Sequence, residues 1–313
     1  MSLTEACWLQ FAMRLCAKGS FVSKPPVQLS QHLRGEFNAE LAPGLYVVAT
    51  PIGNLRDISL RALDILTSVD HILAEDTRQT AKLLDAYDIQ AKLTAYHDHN
   101  VAARIPQVMD WLSEGRSVAL VSDAGTPLVS DPGFKLVREA IAKGYEVFPL
   151  PGASAPLAAL VKSGLPTDRF LFAGFLPPKT SARKKVLGEL ADIRATLILF
   201  ETGPRIQACL TDIGEILGER DLVLTRELTK KYEEARYGTV KELILSVISD
   251  PPRGEIVLLI GPPTSETSWD EEKISEALSV EISELGVKRA SAKVAQASGW
   301  AKRDVYNLAL KLK

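Results

Sequence analysis

The chain is poor in cysteine: Cys7, Cys16 and Cys209 are the only three among 313 residues. An odd number at wide spacing builds neither a disulfide framework nor a zinc knuckle. That usage fits a reducing compartment, and the cytoplasm is the expected location. The four histidines, His32, His71, His97 and His99, form no metal-ligand pattern with them, so no metal is expected. No stretch reaches the roughly 18 uninterrupted apolar residues of a spanning helix, so no membrane role is expected. There is no G-x-G-x-x-G after the first predicted strand and no G-x-x-x-x-G-K-[ST] anywhere, which argues against a dinucleotide oxidoreductase and a P-loop enzyme. A surplus of positive charge is also missing. The formal net charge is −2, so any nucleic-acid surface has to be a local patch.

Residues 1–43 show no core pattern of their own. The mildly apolar stretch 5–22 is broken by Gln10, Arg14 and Lys18, with its charges inside and behind it, unlike a secretory signal. It reads as a disordered N-terminal extension.

From Gly44 the pattern changes. Short β-rich apolar runs at 45–50, 71–75, 92–95, 117–122 and 146–150 alternate with helical periodicity at 59–67, 78–87, 101–114 and 134–143. That alternation predicts an α/β fold with a parallel-rich sheet covered on both faces. Pro151, Gly152, Pro156, Gly164 and Pro166 then punctuate a predicted domain junction. A second α/β set follows. Its strands are expected at 169–174, 195–201, 221–226 and 255–260, its helices at 181–191, 204–217 and 240–249, and 233–238 is a candidate antiparallel strand. The expected domains are 44–165 and 166–263, followed by a small helical tail over 268–313.

Ligands of a doubly wound sheet sit beyond the carboxyl ends of its strands. In the first half those ends carry Thr50-Pro-Ile-Gly-Asn-Leu-Arg-Asp57, Glu75-Asp-Thr-Arg78, Ser122-Asp-Ala-Gly-Thr-Pro127 and Pro151-Gly-Ala-Ser-Ala155. Glycine permits close backbone approach and proline fixes loop shape. One such loop is an ordinary turn. Four at one sheet edge point to a pocket where backbone groups read a cofactor.

These loops, with His97-Asp-His-Asn100, Gly174-Phe-Leu-Pro177, Arg226-Glu-Leu-Thr-Lys230 and Arg253-Gly-Glu-Ile-Val257, resemble the tetrapyrrole-methylase superfamily over residues 44–313. Within it they are most similar to the bacterial enzymes that methylate a cytidine ribose in the decoding centre of 16S ribosomal RNA. The resemblance implies the class III methyltransferase fold, two unequal α/β domains with the cofactor between them, and a homodimer. It implies S-adenosylmethionine as methyl donor and the small ribosomal subunit as partner. One departure stands out: the family's aromatic-Glu-Ser-Pro-His-Arg run reads Phe200-Glu-Thr-Gly-Pro-Arg205 here, without the histidine.

The expected cofactor set is Pro51, Gly53, Asp123, Ala124, Gly125, Thr126, Pro151, Gly152 and Ser154. Glu75, Asp123 and His97 are the candidates for catalytic work, since a ribose hydroxyl is a poor nucleophile until its proton is taken. Asp123 serves equally as a turn cap before Gly125, and Asp76 or Thr77 as the cap of the next helix. Arg78, His99, Asn100, Glu201 and Arg205 are candidates for RNA contact. Asn100 could instead start a helix, and Glu201 with Arg205 could be a structural ion pair.

Residues 286–313 carry seven basic residues against one acid, Asp304. Apolar positions on either side of Gly299 recur at helical spacing, as in helix-turn-helix units. Lys288, Arg289, Lys302 and Arg303 are the expected phosphate contacts. Two rival readings remain: a small-molecule methyltransferase of the same fold acting on a tetrapyrrole, and a ribosome-binding factor without catalysis. Tetrapyrrole colour in the purified protein would favour the first, and failure to bind S-adenosylmethionine the second.

Overall fold

Leu45, Val48, Ile72, Leu73 and Val118 are completely buried, which sets the centre of the first sheet. The computed structural model describes residues 41–263 and 271–312. The expected extension 1–43 lies outside the described residues up to position 40. The described residues up to Gly261 form one compact unit and the described residues from Pro262 a second.

The first sheet contains β1 (Gly44–Val48), β2 (His71–Ala74), β3 (Leu93–Ala95), β4 (Ser117–Val121) and β5 (Val147–Leu150). Their spatial order is β3-β2-β4-β1-β5, with every pairing parallel. Parallel strands need crossovers, supplied by α1 (Leu60–Ser68), α2 (Thr77–Ala86), α3 (Val101–Ser113) and α4 (Phe134–Ala142). Successive strand residues point to opposite faces. Leu45, Leu73, Val118 and Leu120 pack with α3 and α4, while Tyr46, Val48, Ile72 and Val121 pack with α1 and α2. Both faces are covered, so β4 is apolar from Val118 to Val121. β1 leads to β2 on one side and β4 to β5 on the other. The order therefore reverses between β1 and β4, where the crevice of such sheets opens.

The predicted junction contains a helix the sequence reading missed, α5 (Ala155–Ser163). Pro156 sits in its first turn, where the missing N–H costs nothing. Gly164 ends it with φ 71°, a conformation only glycine adopts freely. In the sequence the proline and glycine looked like breakers, but they are the two ends of one helix.

The second sheet holds β6 (Phe170–Phe175), β7 (Thr196–Thr202), β8 (Asp221–Arg226), β9 (Glu234–Thr239) and β10 (Glu255–Ile260) in the order β6-β7-β10-β8-β9. Only β6 and β7 run parallel. β10 is antiparallel to β7 and β8, and β9 to β8. Helices α6 (Thr180–Leu190), α7 (Gly203–Leu217) and α8 (Val240–Ser249) cover one face over Leu197, Leu199, Leu224 and Leu258. The other face, with Ile198, Val223 and Leu259, packs against Ala159 and Leu160 of α5. Under α6, Arg183 and Asp212 form a buried ion pair at 2.6 Å.

The C-terminal unit is built from α9 (Glu271–Ser298), kinked at Gly286, and α10 (Lys302–Lys311). Ile274 and Leu278 from before the kink pack with Val294, Val305 and Ala309. Two glycines with positive φ, Gly286 and Gly299, divide it into three helical segments. No helix among the described residues is long and apolar enough to cross a membrane.

Candidate active site

The loops beyond β1, β4 and β5 are tied together through their backbones. The Thr50 amide donates to Gly125 O at 2.8 Å, and the Gly125 amide returns to Thr50 O at 3.0 Å. The Thr50 hydroxyl donates to Ser122 O at 3.1 Å. Gly125 has φ 82°, and a Cβ there would lie 3.3 Å from Ile52 Cγ2. Thr126 donates its hydroxyl to Ala153 O at 3.2 Å. Gly152 presses on the end of β1, where a Cβ would fall 2.8 Å from that of Ala49. Gly152 leaves no room for a side chain, and at Gly125 the positive φ and the near Ile52 methyl disfavour one.

The loop after β2 joins through charge. The Asp76 amide donates to Asp123 Oδ1 at 2.9 Å, and the Asp123 amide lies 3.4 Å from Glu75 Oε2. Burial pushes the Glu75 carboxyl up. The Asp123 amide opposes that shift, and the charges of Asp123, Asp98 and Asp76 reinforce it. Asp76 caps α2 by accepting from the Arg78 amide at 2.8 Å. The Arg78 guanidinium, hydrogen-bonded to Asp76 Oδ2 at 2.7 Å, holds that carboxyl down at about 2. Arg78 itself is 86% exposed.

The second sheet closes the other side. The Asn54 amide donates to Thr229 Oγ1 at 3.0 Å. A Cβ on Gly53 would stand 2.5 Å from Lys230 Cγ. Glu227 and Thr229 adopt left-handed backbones, φ 50° and 64°, which non-glycine residues do only under constraint. On β7, Glu201 is 1% exposed. Its Oε1 accepts from the Thr202 amide at 2.8 Å and lies 3.1 Å from Arg205 Nε. Its Oε2 is buried and, among the described residues, has no hydrogen-bond partner. Arg205 also donates to Leu176 O at 2.7 Å.

Between the two sheets lies a cavity of about 270 Å³. Of the predicted residues, Glu75, Asp123, Ala124, Gly125, Thr126, Ser154 and Glu201 line it. Pro51, Gly53, Pro151 and Gly152 shape the loops without lining the wall, and Arg205 is placed through Glu201. His97, His99, Asn100 and Arg78 are not brought into it. His97 to Asn100 form a closed turn: the His97 amide donates to Asn100 Oδ1 at 3.0 Å, and Asn100 Nδ2 donates to Ala95 O at 3.0 Å. Asn100 therefore starts α3 without capping it by its side chain. His97 Nδ1 is buried with no partner among the described residues. Lys288, Arg289, Lys302 and Arg303 are exposed on the C-terminal unit.

Other wall residues were assigned no role from sequence: Asp131, Phe175, Phe200, Lys230 and Glu255. The available signal for Asp131 was its setting in Ser130-Asp-Pro-Gly133, a second turn directly behind the first. Phe175 and Phe200 meet at 5.4 Å between ring centroids and form the apolar wall.

Residues 44–244 match the family described as Tetrapyrrole (Corrin/Porphyrin) Methylases. The chain belongs to the tetrapyrrole methylase family. Residues 269–313 match a second family, the RsmI C-terminal HTH domain. Tetrapyrrole methylase relatives are similar over nearly their whole length. The ribosomal RNA small subunit methyltransferase I of Mesorhizobium japonicum is 48% identical over 276 residues, 87% of this chain and 93% of its own. Proteins of that name from Haemophilus influenzae (46% identical, 85% of this chain and 96% of their own) and Bacillus subtilis (43%, 87% and 96%) are also similar. The fold matches the cobalamin-biosynthetic cobalt precorrin-4 methyltransferase, with TM-score 0.54 and 18% identity, over 69% of this chain and 94% of that one. It also matches uroporphyrin-III-C-methyltransferase from Thermus thermophilus, with TM-score 0.50 and 21% identity, over 70% and 94%.

Proposed function

We propose that the chain is an S-adenosylmethionine-dependent methyltransferase of 16S ribosomal RNA that methylates the ribose 2′-oxygen of a decoding-centre cytidine. The observation that carries this reading is the joint match of the catalytic body and the C-terminal helical unit to relatives named for small-subunit ribosomal RNA methylation.

S-adenosylmethionine is the methyl donor of this family, and the wall fits it. Sulfonium and ammonium groups are cationic, and the carboxyl groups of Glu75, Asp123 and Glu201 face the wall. Asp123, Ala124, Gly125 and Thr126 bring the loop after β4 to the wall beside these acids. Pro51, Gly53, Pro151, Gly152 and Ser154 complete the cradle, with Ser154 at the start of α5. The bound donor supplies an activated methyl group. The protein then has to orient it and exclude water, and alignment alone recovers roughly 7–11 kcal/mol of barrier.

In this reading Glu75 and Asp123, interlocked through backbone amides, hold the donor in place. Arg78, His97, His99 and Asn100 lie outside the wall, where an RNA strand would pass, and Glu201 with Arg205 contacts the target nucleotide. The basic residues of 268–313 hold phosphates. Residues 44–165 and 166–263 act as two domains sharing one cleft, in a cytoplasmic homodimer.

The test supplies labelled S-adenosylmethionine and small ribosomal subunits lacking the modification, with nuclease digestion and mass spectrometry to locate the methyl group. A methylated cytidine ribose is the expected product. Donor binding without a methylated nucleotide would shift the reading to a small-molecule acceptor.

A further inference from the structure

Asp131 sits in a backbone held by constraint. Leu128 (φ 74°) and Ser130 (φ 66°) are both left-handed, and Gly133 follows with φ 135°. Non-glycine residues keep such conformations only where the surroundings over-determine them, and they cluster at functional sites. A Cβ on Gly133 would lie 2.7 Å from Leu120 Cδ2, and one on Gly174 of β6 3.0 Å from Ser130 Oγ. This turn is therefore pinned between the two sheets and delivers the Asp131 carboxylate into the cavity wall.

Its neighbours there are acids. Glu75 from the end of β2, Asp123 from the loop after β4 and Glu255 from the start of β10 all act on it, and the Ser122 hydroxyl hydrogen-bonds to it. The cations of the same wall are engaged elsewhere, Arg226 with Glu234 and Lys230 with Glu227. Among the described residues Asp131 has no ion-pair partner. Burial, aided by the three acidic charges and opposed by Ser122, pushes its carboxyl up to about 6.

The other three acids of this group are differently placed: Glu255 is exposed at the start of β10. Asp123 accepts from the Asp76 amide, and Glu75 faces the Asp123 amide. Asp131, half-buried in the wall and held by no backbone amide among the described residues, has a carboxyl at about 6, the setting a general base needs.

We propose that Asp131 is the catalytic base of the methyl transfer, accepting the proton of the hydroxyl that becomes methylated. This rests on the ribose reading above. The hydroxyl proton passes to an Asp131 Oδ while the oxygen's electron pair forms the new O–C bond to the methyl carbon. The old C–S bond breaks and leaves its pair on sulfur, so the sulfonium ends as a neutral thioether. Solvent then takes the proton from Asp131.

The experiment uses the full chain, with Asp131→Asn and Asp131→Glu. Single-turnover rates on unmodified subunits are measured from about pH 5 to 9, donor affinity by calorimetry, and aspartate carboxyl titration by ¹³C NMR. The wild-type rate is expected to rise through about pH 6 and then level, following the shifted carboxyl. Asp131→Asn is expected to lose roughly 10²–10⁴-fold in rate, with a flat profile and unchanged donor affinity. Asp131→Glu keeps the rising limb, and the NMR titration near 6 disappears in the asparagine variant. An asparagine variant at wild-type rate, one that keeps the limb, or a titration near 6 that survives the substitution would each overturn the assignment. A wild-type product methylated elsewhere than on ribose overturns the ribose reading and the assignment with it, and is recognised before any variant is made.

Discussion

Asp123 accepts a hydrogen bond from the backbone amide of Asp76 at 2.9 Å, joining loops 47 residues apart in sequence. The residue read from sequence as a cofactor ligand or a turn cap is thus also a brace between the ends of β2 and β4. Asp123→Ala should cost about 0.5–1.5 kcal/mol in urea unfolding, the net value of one such bond. If Asp123 also meets a charged donor group, S-adenosylmethionine affinity should fall by roughly 10–100-fold in calorimetry. Lost stability with full affinity would leave it a brace alone.

Gly152→Val tests the packing of the cofactor loops. A side chain at 152 meets Ala49 at 2.8 Å, in the middle of a rigid junction. Overpacking of this kind costs about 1–3 kcal/mol, and the displaced loop should weaken donor binding at the same time. A variant with wild-type melting temperature and affinity would show that the loop yields freely.

The Arg183–Asp212 pair is 3% and 5% exposed. Removing one partner strands a buried charge. Asp212→Ala should therefore destabilise by about 3–5 kcal/mol. An apolar replacement of both residues should recover much of that loss, measured by denaturant midpoint.

The stability of the first unit should carry a pH signature from Asp131. Its folded-state carboxyl, at about 6, stands above the usual carboxylate value. Between the two values the folded state binds the extra proton, so stability falls as pH rises through that window. Asp131→Asn stays neutral. It should raise the melting temperature near about pH 8 and change it little near about pH 4. A melting temperature lowered at the higher pH would contradict the direction of the shift.

Lys302→Glu with Arg303→Glu should weaken RNA binding and reduce its salt dependence, by about one unit of slope for each phosphate no longer neutralised. Filter binding across a salt series checks this, and an unchanged slope removes these side chains from the interface.

The alternation of strands and helices in the first sheet was legible because each buried strand carries its own apolar run. Four of the loops were legible for a related reason: glycine and proline record backbone contacts that side chains would block, as at Gly125 and Gly152. Helix α5 was not legible, since Pro156 and Gly164 look alike whether they break a helix or begin and end it. The predominantly antiparallel order of the second sheet was hidden as well. β10 inserts between β7 and β8, and strand order is not written in the periodicity of any one strand. Asp131 was missed because its shift comes first from burial and then from Glu75, Asp123 and Glu255, which chain folding brings together from three strands. His97, conspicuous in sequence, sits in a local turn closed by Asn100.

The contact of Gly53 with Lys230 joins the two halves of the sequence at one point. A side chain at 53 would occupy the space of the lysine's own stem, 2.5 Å from Cγ. Among homologous sequences these two positions should therefore vary as a pair: a larger residue at 53 should appear with a shorter one at 230, although the two stand in different halves of the chain.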